Sequence, residues 1–294
     1  MATEYTALRN WVMPDLAMAP PLPMVDNAIR DAVIELCERT LCYRQELQQI
    51  LVLAPVSTTT TAAASSGATT VTVASITNFA DGDTIKILLT DSVTYGRGHV
   101  SGTPSGSTIT LDAALPQAVD SGATVTKFVD LYTMKFPSGT AFAKGLNVWL
   151  DDNPLDPISP DDRDTEFNTT DFGWPGINWR TDVNLPTRFY FVDDSTIGLA
   201  LAPNAAGALR INAALRPTRA STTFPDFIYQ RYVETIAHGA KSRLMLIPTK
   251  PYSNPKLGEW HRDQFNGGIS EAMIRAARGS SRAALRTHTV YGLR

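Results

Sequence analysis

The most reactive side chains belong to two cysteines, Cys37 and Cys42, which are the only thiols in 294 residues. Thiolates bind zinc and carry out redox chemistry when their spacing brings the sulfur atoms together. A separation of five residues matches no standard zinc or redox motif, and on a helix it turns the two side chains away from each other. We therefore predict two thiols that face a core.

The histidines offer a second possibility, acid–base catalysis or metal binding. His238, His261 and His288 each lack a recognisable partner pattern, and no G-x-S-x-G, H-E-x-x-H, phosphate-loop or dinucleotide-binding motif is present. No activated nucleophile or suitably placed carboxylate pair is visible as a motif. We predict packing or surface roles for His238 and His261. The pattern favours a protein that is not an enzyme, with no catalytic, cofactor-binding or metal-binding residues.

An acidic stretch could bind cations. Between Asp151 and Asp171 lie eight acidic residues and one basic residue, Arg163. The EF-hand order of oxygen ligands and glycine is missing, so we predict a solvated loop rather than a calcium site. Trp174 and Trp179 follow this stretch, and tryptophan is enriched where protein surfaces meet. They are therefore our candidates for contacts with a neighbouring subunit.

The overall composition limits the partners. The formal net charge is −3 and the pI is about 5.8, so no global positive field exists to hold nucleic acid or an anionic membrane. The start of the chain lacks the basic and apolar regions of a signal peptide, and no stretch is long and apolar enough to cross a membrane. These features predict a protein made in the cytosol, with no membrane partner.

Helical periodicity first appears after Pro23, where Asp26 or Asn27 is predicted to cap a helix. Its apolar residues follow the three-and-four spacing of one buried face. That face comprises Val25, Ile29, Ala32, Val33, Leu36 and Thr40.

Two further helices are predicted near the end of the chain. One begins near Pro225 and runs to Pro248, and the other opens at 253–255. Gly267 and Gly268 are expected to weaken or bend the last helix. Its predicted apolar residues are Leu257, Trp260, His261, Phe265, Ile269, Met273 and Ile274.

The region 57–128 differs in composition from the rest. A connector rich in Ser, Thr, Ala and Gly is followed by short β-prone runs that are separated by glycine-containing turns. We predict a small inserted all-β domain. Its single Tyr95, Arg97 and His99 are interpreted as surface residues.

The remaining strands are predicted over 143–150 and, as an antiparallel meander, over 188–192, 196–202 and 208–215. The predicted fold class is α+β: a helical bundle body with antiparallel strands, an inserted small all-β domain and an extended C-terminal tail. The predicted boundaries are 1–56 for the N-terminal segment and first helix of the body, 57–128 for the inserted β-domain, 129–278 for the rest of the body, and 279–294 for the tail.

Several local sequences occur in a characteristic order: a strand-turn-strand over 192–203, Leu215-Arg216-Pro217, Pro225-Asp226-Phe227 before a helix, and Tyr252-Ser253-Asn254-Pro255 between the last two helices. Over 24–54 and 129–278 this order resembles the head-to-tail adaptor (connector) proteins of short-tailed bacteriophages. The inserted β-domain departs from the smaller adaptors of this type.

The resemblance implies a structural virion protein at the head–tail interface, assembled in the host cytoplasm. It implies a dodecameric ring between the portal protein and the tail nozzle or tube, forming part of the channel through which double-stranded DNA passes. The tail 279–294 carries arginines and no acidic residue, and basic tails with apolar anchors can fold onto a partner. We predict that Arg282, Arg286, Tyr291 and Leu293 contact the portal.

Two other roles remain open. The inserted β-domain is a candidate for attaching tail fibres. The rival hypothesis is a tail-associated cell-wall hydrolase or carbohydrate-binding protein, because a short-tailed phage must breach an envelope and the β-domain has the size of a sugar-binding domain.

Overall fold

The computed structural model describes residues 2–92, 94–159, 161–162 and 183–278. The chain folds as two compact units, each built from separate stretches of sequence. The first, here called the helical unit, comprises Met1–Glu46, Phe136–Leu146 and Asn212–Arg294. The second, the strand unit, comprises Leu47–Lys135 and Asn147–Ile211.

The described residues contain four α-helices: α1 (Arg9–Val12), α2 (Leu22–Thr40), α3 (Asp226–Met245) and α4 (Pro255–Ala277). Short 3-10 turns flank α1 at Tyr5–Leu8 and Met13–Asp15. The strands are β1 (Ala2–Glu4), β2 (Arg44–Glu46), β3 (Ile50–Val52), β4 (Val56–Thr59), β5 (Thr70–Thr72), β6 (Thr84–Leu88), β7 (Tyr95–His99), β8 (Thr108–Thr110), β9 (Thr124–Lys127), β10 (Leu131–Thr133), β11 (Thr140–Leu150), β12 (Asn153–Pro157), β13 (Val183–Asn184), β14 (Arg188–Asp193), β15 (Thr196–Ala200), β16 (Ala202–Pro203), β17 (Gly207–Pro217) and β18 (Thr223–Pro225).

The predicted helical bundle body is wrong, because most described elements are strands and the largest assembly is an eight-stranded sheet. Seven strands follow the order β10-β15-β14-β12-β11-β17-β2, and β3 pairs with β17 as the eighth. Helical periodicity is strong within a single stretch, whereas this sheet joins strands that are distant in sequence. Sequence patterns therefore predict the helices but not the pairing of strands in the sheet.

The predicted antiparallel meander is only partly correct. β14 and β15 form an antiparallel hairpin, with Tyr190 opposite Gly198. The third strand of the predicted meander, β17, does not continue the hairpin, since its neighbours in the sheet are β11, β2 and β3. β14 pairs instead in parallel with β12. Alternating hydrophobicity identifies strands but not their partners, because pairing depends on contacts far along the chain.

The first predicted helix begins earlier than expected. Pro21 occupies the N-cap position of α2, and Asp26 lies inside the helix and forms an ion pair with Arg9 at 2.5 Å. The helix ends at Leu41, whose left-handed backbone (φ 51°) reverses the chain. The predicted buried face is confirmed, because all six of its residues are buried.

The core of the helical unit lies where α2, α3 and α4 meet. α4 starts with Asn254, whose side chain accepts a hydrogen bond from the backbone N–H of Leu257 at 3.2 Å. Gly239 of α3 lies close to both other helices, because a Cβ there would lie 2.8 Å from the Phe265 ring and 3.0 Å from Ala32 Cβ. The absence of a side chain at Gly239 therefore sets the spacing of all three helices.

The inserted β-domain has its own apolar core within the strand unit. The core includes Val71, Ile85, Ile109 and Val125, all of them buried. One sheet has the order β4-β9-β6-β7, and β5 pairs with β8. Val56 and Lys127 pair across β4 and β9, so the domain enters and leaves the rest of the chain at adjacent positions.

Gly239→Ala is expected to destabilise the protein by about 1–2 kcal/mol, because the clash with Phe265 and Ala32 outweighs the gain in helix propensity. The matched control is Gly267→Ala, since Gly267 lies in α4 with open space around its Cβ position. That change should stabilise the protein by about 0.5–1 kcal/mol. Chemical denaturation of both variants measures the difference, and equal effects would refute this packing.

Candidate interaction surface of the helical unit

The residues predicted to make partner contacts lie outside the described part of the chain. They are Trp174, Trp179, Arg282, Arg286, Tyr291 and Leu293. Residues 160 and 163–171 of the predicted acidic loop also fall there. These assignments stay predictions. The described residues of the helical unit show other features that could contact a partner or a ligand, and these lie on α2, α3 and α4.

α4 exposes three large apolar side chains. Trp260 is 50% exposed, Met273 47% and Ile274 50%. All three are among the seven apolar residues predicted from the sequence for this helix. The buried face is narrower and consists of Gly258, His261, Phe265, Ile269 and Ala272. Exposed apolar groups of this size are typical of surfaces that bind another protein.

A cationic pocket of about 200 Å³ lies beside the last turns of α4. We call it the arginine pocket; it is lined by Cys42, Arg44, Phe227, Arg231, Tyr232, Arg275 and Ala276. α3 departs from helical geometry at Tyr232. Burial raises the pKa of Tyr232, while Arg275 and Arg231 act in the opposite direction. Guanidinium groups bind carboxylates and phosphates through paired hydrogen bonds, so this pocket suits an anionic group.

Both cysteines face the core of the helical unit, as predicted: Cys37 is buried within it and Cys42 packs against it. The backbone N–H of Leu41 donates to the Cys37 carbonyl at 3.0 Å, which closes the last turn of α2. When a helix ends in a left-handed residue, the residue that follows it commonly packs against the residue four positions before it. Cys42 and Cys37 occupy those two positions, and both side chains pack in the same apolar core. On a continuous helix the same spacing would turn the two side chains apart.

A histidine pair lies between α3 and α4. The Nδ1 atoms of His238 and His261 are 2.7 Å apart, and the Trp260 ring meets both imidazoles edge-on. Buried Lys241 forms an ion pair with Asp15 near them. No sequence pattern indicates this pairing, because the two histidines are 23 positions apart on different helices.

Both histidines are held in the neutral form. The pKa of His261 is lowered to about 4, mainly by burial and then by the charges of His238 and Lys241. Burial and Lys241 also lower the pKa of His238. A hydrogen bond between two Nδ1 atoms needs one ring to donate and the other to accept, so both rings cannot be protonated at once. The pair therefore fastens α3 to α4 at neutral pH.

The described residues include no group of three or more histidine, cysteine, aspartate or glutamate side chains that could hold a metal ion. Among the same residues, no helix is both long and apolar enough to cross a membrane. In the inserted β-domain, Arg97 pairs with buried Asp130 at 3.1 Å. Arg97 therefore has a structural partner and is not the isolated surface residue that was predicted.

No protein family and no curated protein matches this sequence. Among solved structures, the crystal structure of the tailspike protein gp49 from Pseudomonas phage LKA1 matches with 24% sequence identity and a TM-score of 0.23. The match covers 26% of this chain and 15% of the tailspike chain. A likeness of this extent establishes neither a fold nor a function for this chain.

The histidine pair predicts acid sensitivity. A histidine whose pKa is lower in the folded state contributes stability above its unfolded pKa of about 6.5, and this contribution is lost as the pH falls towards about 4. Between pH 7 and pH 4, the free energy of unfolding of His261→Gln should fall by about 1–2 kcal/mol less than that of the wild-type protein. Thermal unfolding at pH 7, 5.5 and 4 measures it, with exposed His99→Gln as the control. An unchanged pH dependence in His261→Gln would contradict the account.

Proposed function

We propose that this chain is a structural head-to-tail adaptor of a short-tailed bacteriophage. The single observation that carries the proposal is the continuity between the exposed apolar face of α4 and the basic segment that follows it. Met273 and Ile274 lie a few residues before the tail 279–294, which has arginines but no acidic residue. Together they provide apolar anchors and positive charge for docking on one protein partner.

The elements that carry the resemblance lend further support. The strand-turn-strand corresponds to the β14–β15 hairpin, and Leu215-Arg216-Pro217 ends β17. Pro225 immediately precedes α3, and Asn254 caps α4.

In the proposed assembly, copies of the chain form a ring, twelve in number by resemblance, between the portal and the tail nozzle or tube. The acidic stretch from Asp151 to Asp171 and the basic tail offer opposite charges at the two kinds of contact. Rings close when each subunit presents two complementary surfaces to its neighbours. The protein then acts in the virion as a channel wall for passing DNA, with assembly in the host cytoplasm and no catalytic step.

The inserted β-domain is proposed to serve a peripheral role, such as attachment of tail fibres. Support comes from its separate core and from the adjacency of Val56 and Lys127 at its two ends. An insertion of this kind can be removed with little change in the path of the remaining chain.

Removal of 279–294 is expected to lower binding to isolated portal rings at least tenfold, because the basic groups and apolar anchors are lost together. The control lacks 57–128 and keeps the tail, and it should bind portal as the full chain does. Co-sedimentation measures both. Unchanged portal binding by the truncated chain would reject the tail assignment.

The hydrolase hypothesis has its own test. Peptidoglycan turnover by the purified chain that is abolished by one carboxylate substitution would favour it over the adaptor proposal.

The double change Met273→Gln and Ile274→Gln should weaken portal binding several-fold without lowering the melting temperature, since both side chains are half exposed. Leu51→Gln with Leu53→Gln is the matched control, because these leucines are also exposed but belong to the strand unit. Equal losses from the two double variants would mean that the α4 face has no special part in docking.

A further inference from the structure

The C-terminal end of α2 places a second thiol beside an accessible one. Cys37 is completely buried in the last turn of the helix, and Cys42 is partly exposed after the reversal at Leu41. Cys37 belongs to the apolar core of the helical unit and Cys42 packs against the same core, at the two positions that a left-handed turn at a helix end brings together. An accessible cysteine touching a buried one is the arrangement in which an oxidised first thiol is captured by the second.

The arginine pocket gives a small molecule access to Cys42, which forms part of its wall. Three guanidinium groups line the same pocket, those of Arg44, Arg231 and Arg275. Positive charge next to a thiol favours the thiolate, which is the nucleophilic form. Access and activation therefore coincide at one sulfur atom.

We propose that Cys42 is a site of covalent modification by hydroperoxides, with Cys37 as the thiol that converts the oxidised Cys42 into an intramolecular disulfide. This assignment does not depend on the adaptor function. It uses only residues of the helical unit that the structure describes.

The reaction has two balanced steps. The Cys42 thiolate attacks one peroxide oxygen, so that an S–O bond forms, the O–O bond breaks and the released oxygen takes a proton; sulfur is oxidised and the peroxide is reduced. Cys37 then attacks the Cys42 sulfenic sulfur. An S–S bond forms, the S–O bond breaks, and hydroxide leaves as water with the proton from Cys37.

The ionisation of the two thiols makes Cys42, rather than Cys37, the one that attacks the peroxide. The hydrogen bond from Cys37 is the largest influence lowering the pKa of Cys42 to about 7, with Thr40 and Arg44 acting in the same direction against burial. The pKa of Cys37 is raised by its contact with Cys42 and by burial. The titratable and charged groups around the pair are Glu38, Tyr43, Arg44, Arg231, Tyr232 and Arg275.

The first experiment is alkylation of the full chain with iodoacetamide across pH 5.5–9.5, followed by peptide mapping. Cys42 should react first, with a midpoint near pH 7. Arg44→Gln should move that midpoint upward, and Cys37→Ala should slow the reaction at pH 7 about tenfold, as expected for return to the ordinary thiol pKa of about 8.5. A wild-type midpoint near that ordinary value would overturn the proposal.

The second experiment treats the wild-type chain with hydrogen peroxide and identifies the product by mass spectrometry. A Cys37–Cys42 disulfide, reversible by dithiothreitol, is expected. Cys37→Ala should instead accumulate a sulfenic acid trapped by dimedone, and Cys42→Ser should leave Cys37 unmodified. Wild-type protein that yields only intermolecular dimers, or no oxidation while a free thiol control is consumed, would overturn the proposal even if a variant failed to fold.

Discussion

Close packing at Gly239 is the constraint on which the rest of the helical unit depends. With no side chain at this position, Phe265 of α4 and Ala32 of α2 both approach α3. α4 consequently rests on a narrow buried face and leaves Trp260, Met273 and Ile274 exposed. The histidine pair and the arginine pocket both involve side chains from α3 and α4, so they too depend on this packing.

The sequence was informative where a structural feature is local. The buried face of α2 follows from helical spacing, and the starts of α3 and α4 follow from Pro225 and Asn254. The turn at Leu41 was not foreseeable, because a left-handed residue at a helix end is most often glycine. This turn brings Cys42 back to the core that contains Cys37, whereas on a continuous helix the two side chains would turn apart. The sheet was missed for a different reason, since its strands are joined by pairing across long stretches of chain.

The proposed contacts and the proposed chemistry occupy neighbouring parts of the helical unit. Arg275 lies one residue after Ile274 on α4 and also lines the pocket that contains Cys42. An adaptor docked through the end of α4 would therefore have a redox-sensitive thiol close to its binding surface. The two proposals remain separate, because thiol chemistry is measured on the isolated chain and docking is measured with the partner.

The central claim is that this chain assembles as a ring on the portal, and electron microscopy of the purified chain mixed with isolated portal rings tests it most directly. The account predicts an added layer of density on one face of the portal, with the same rotational symmetry as the portal. Portal particles that stay unchanged in the presence of excess folded chain would contradict it.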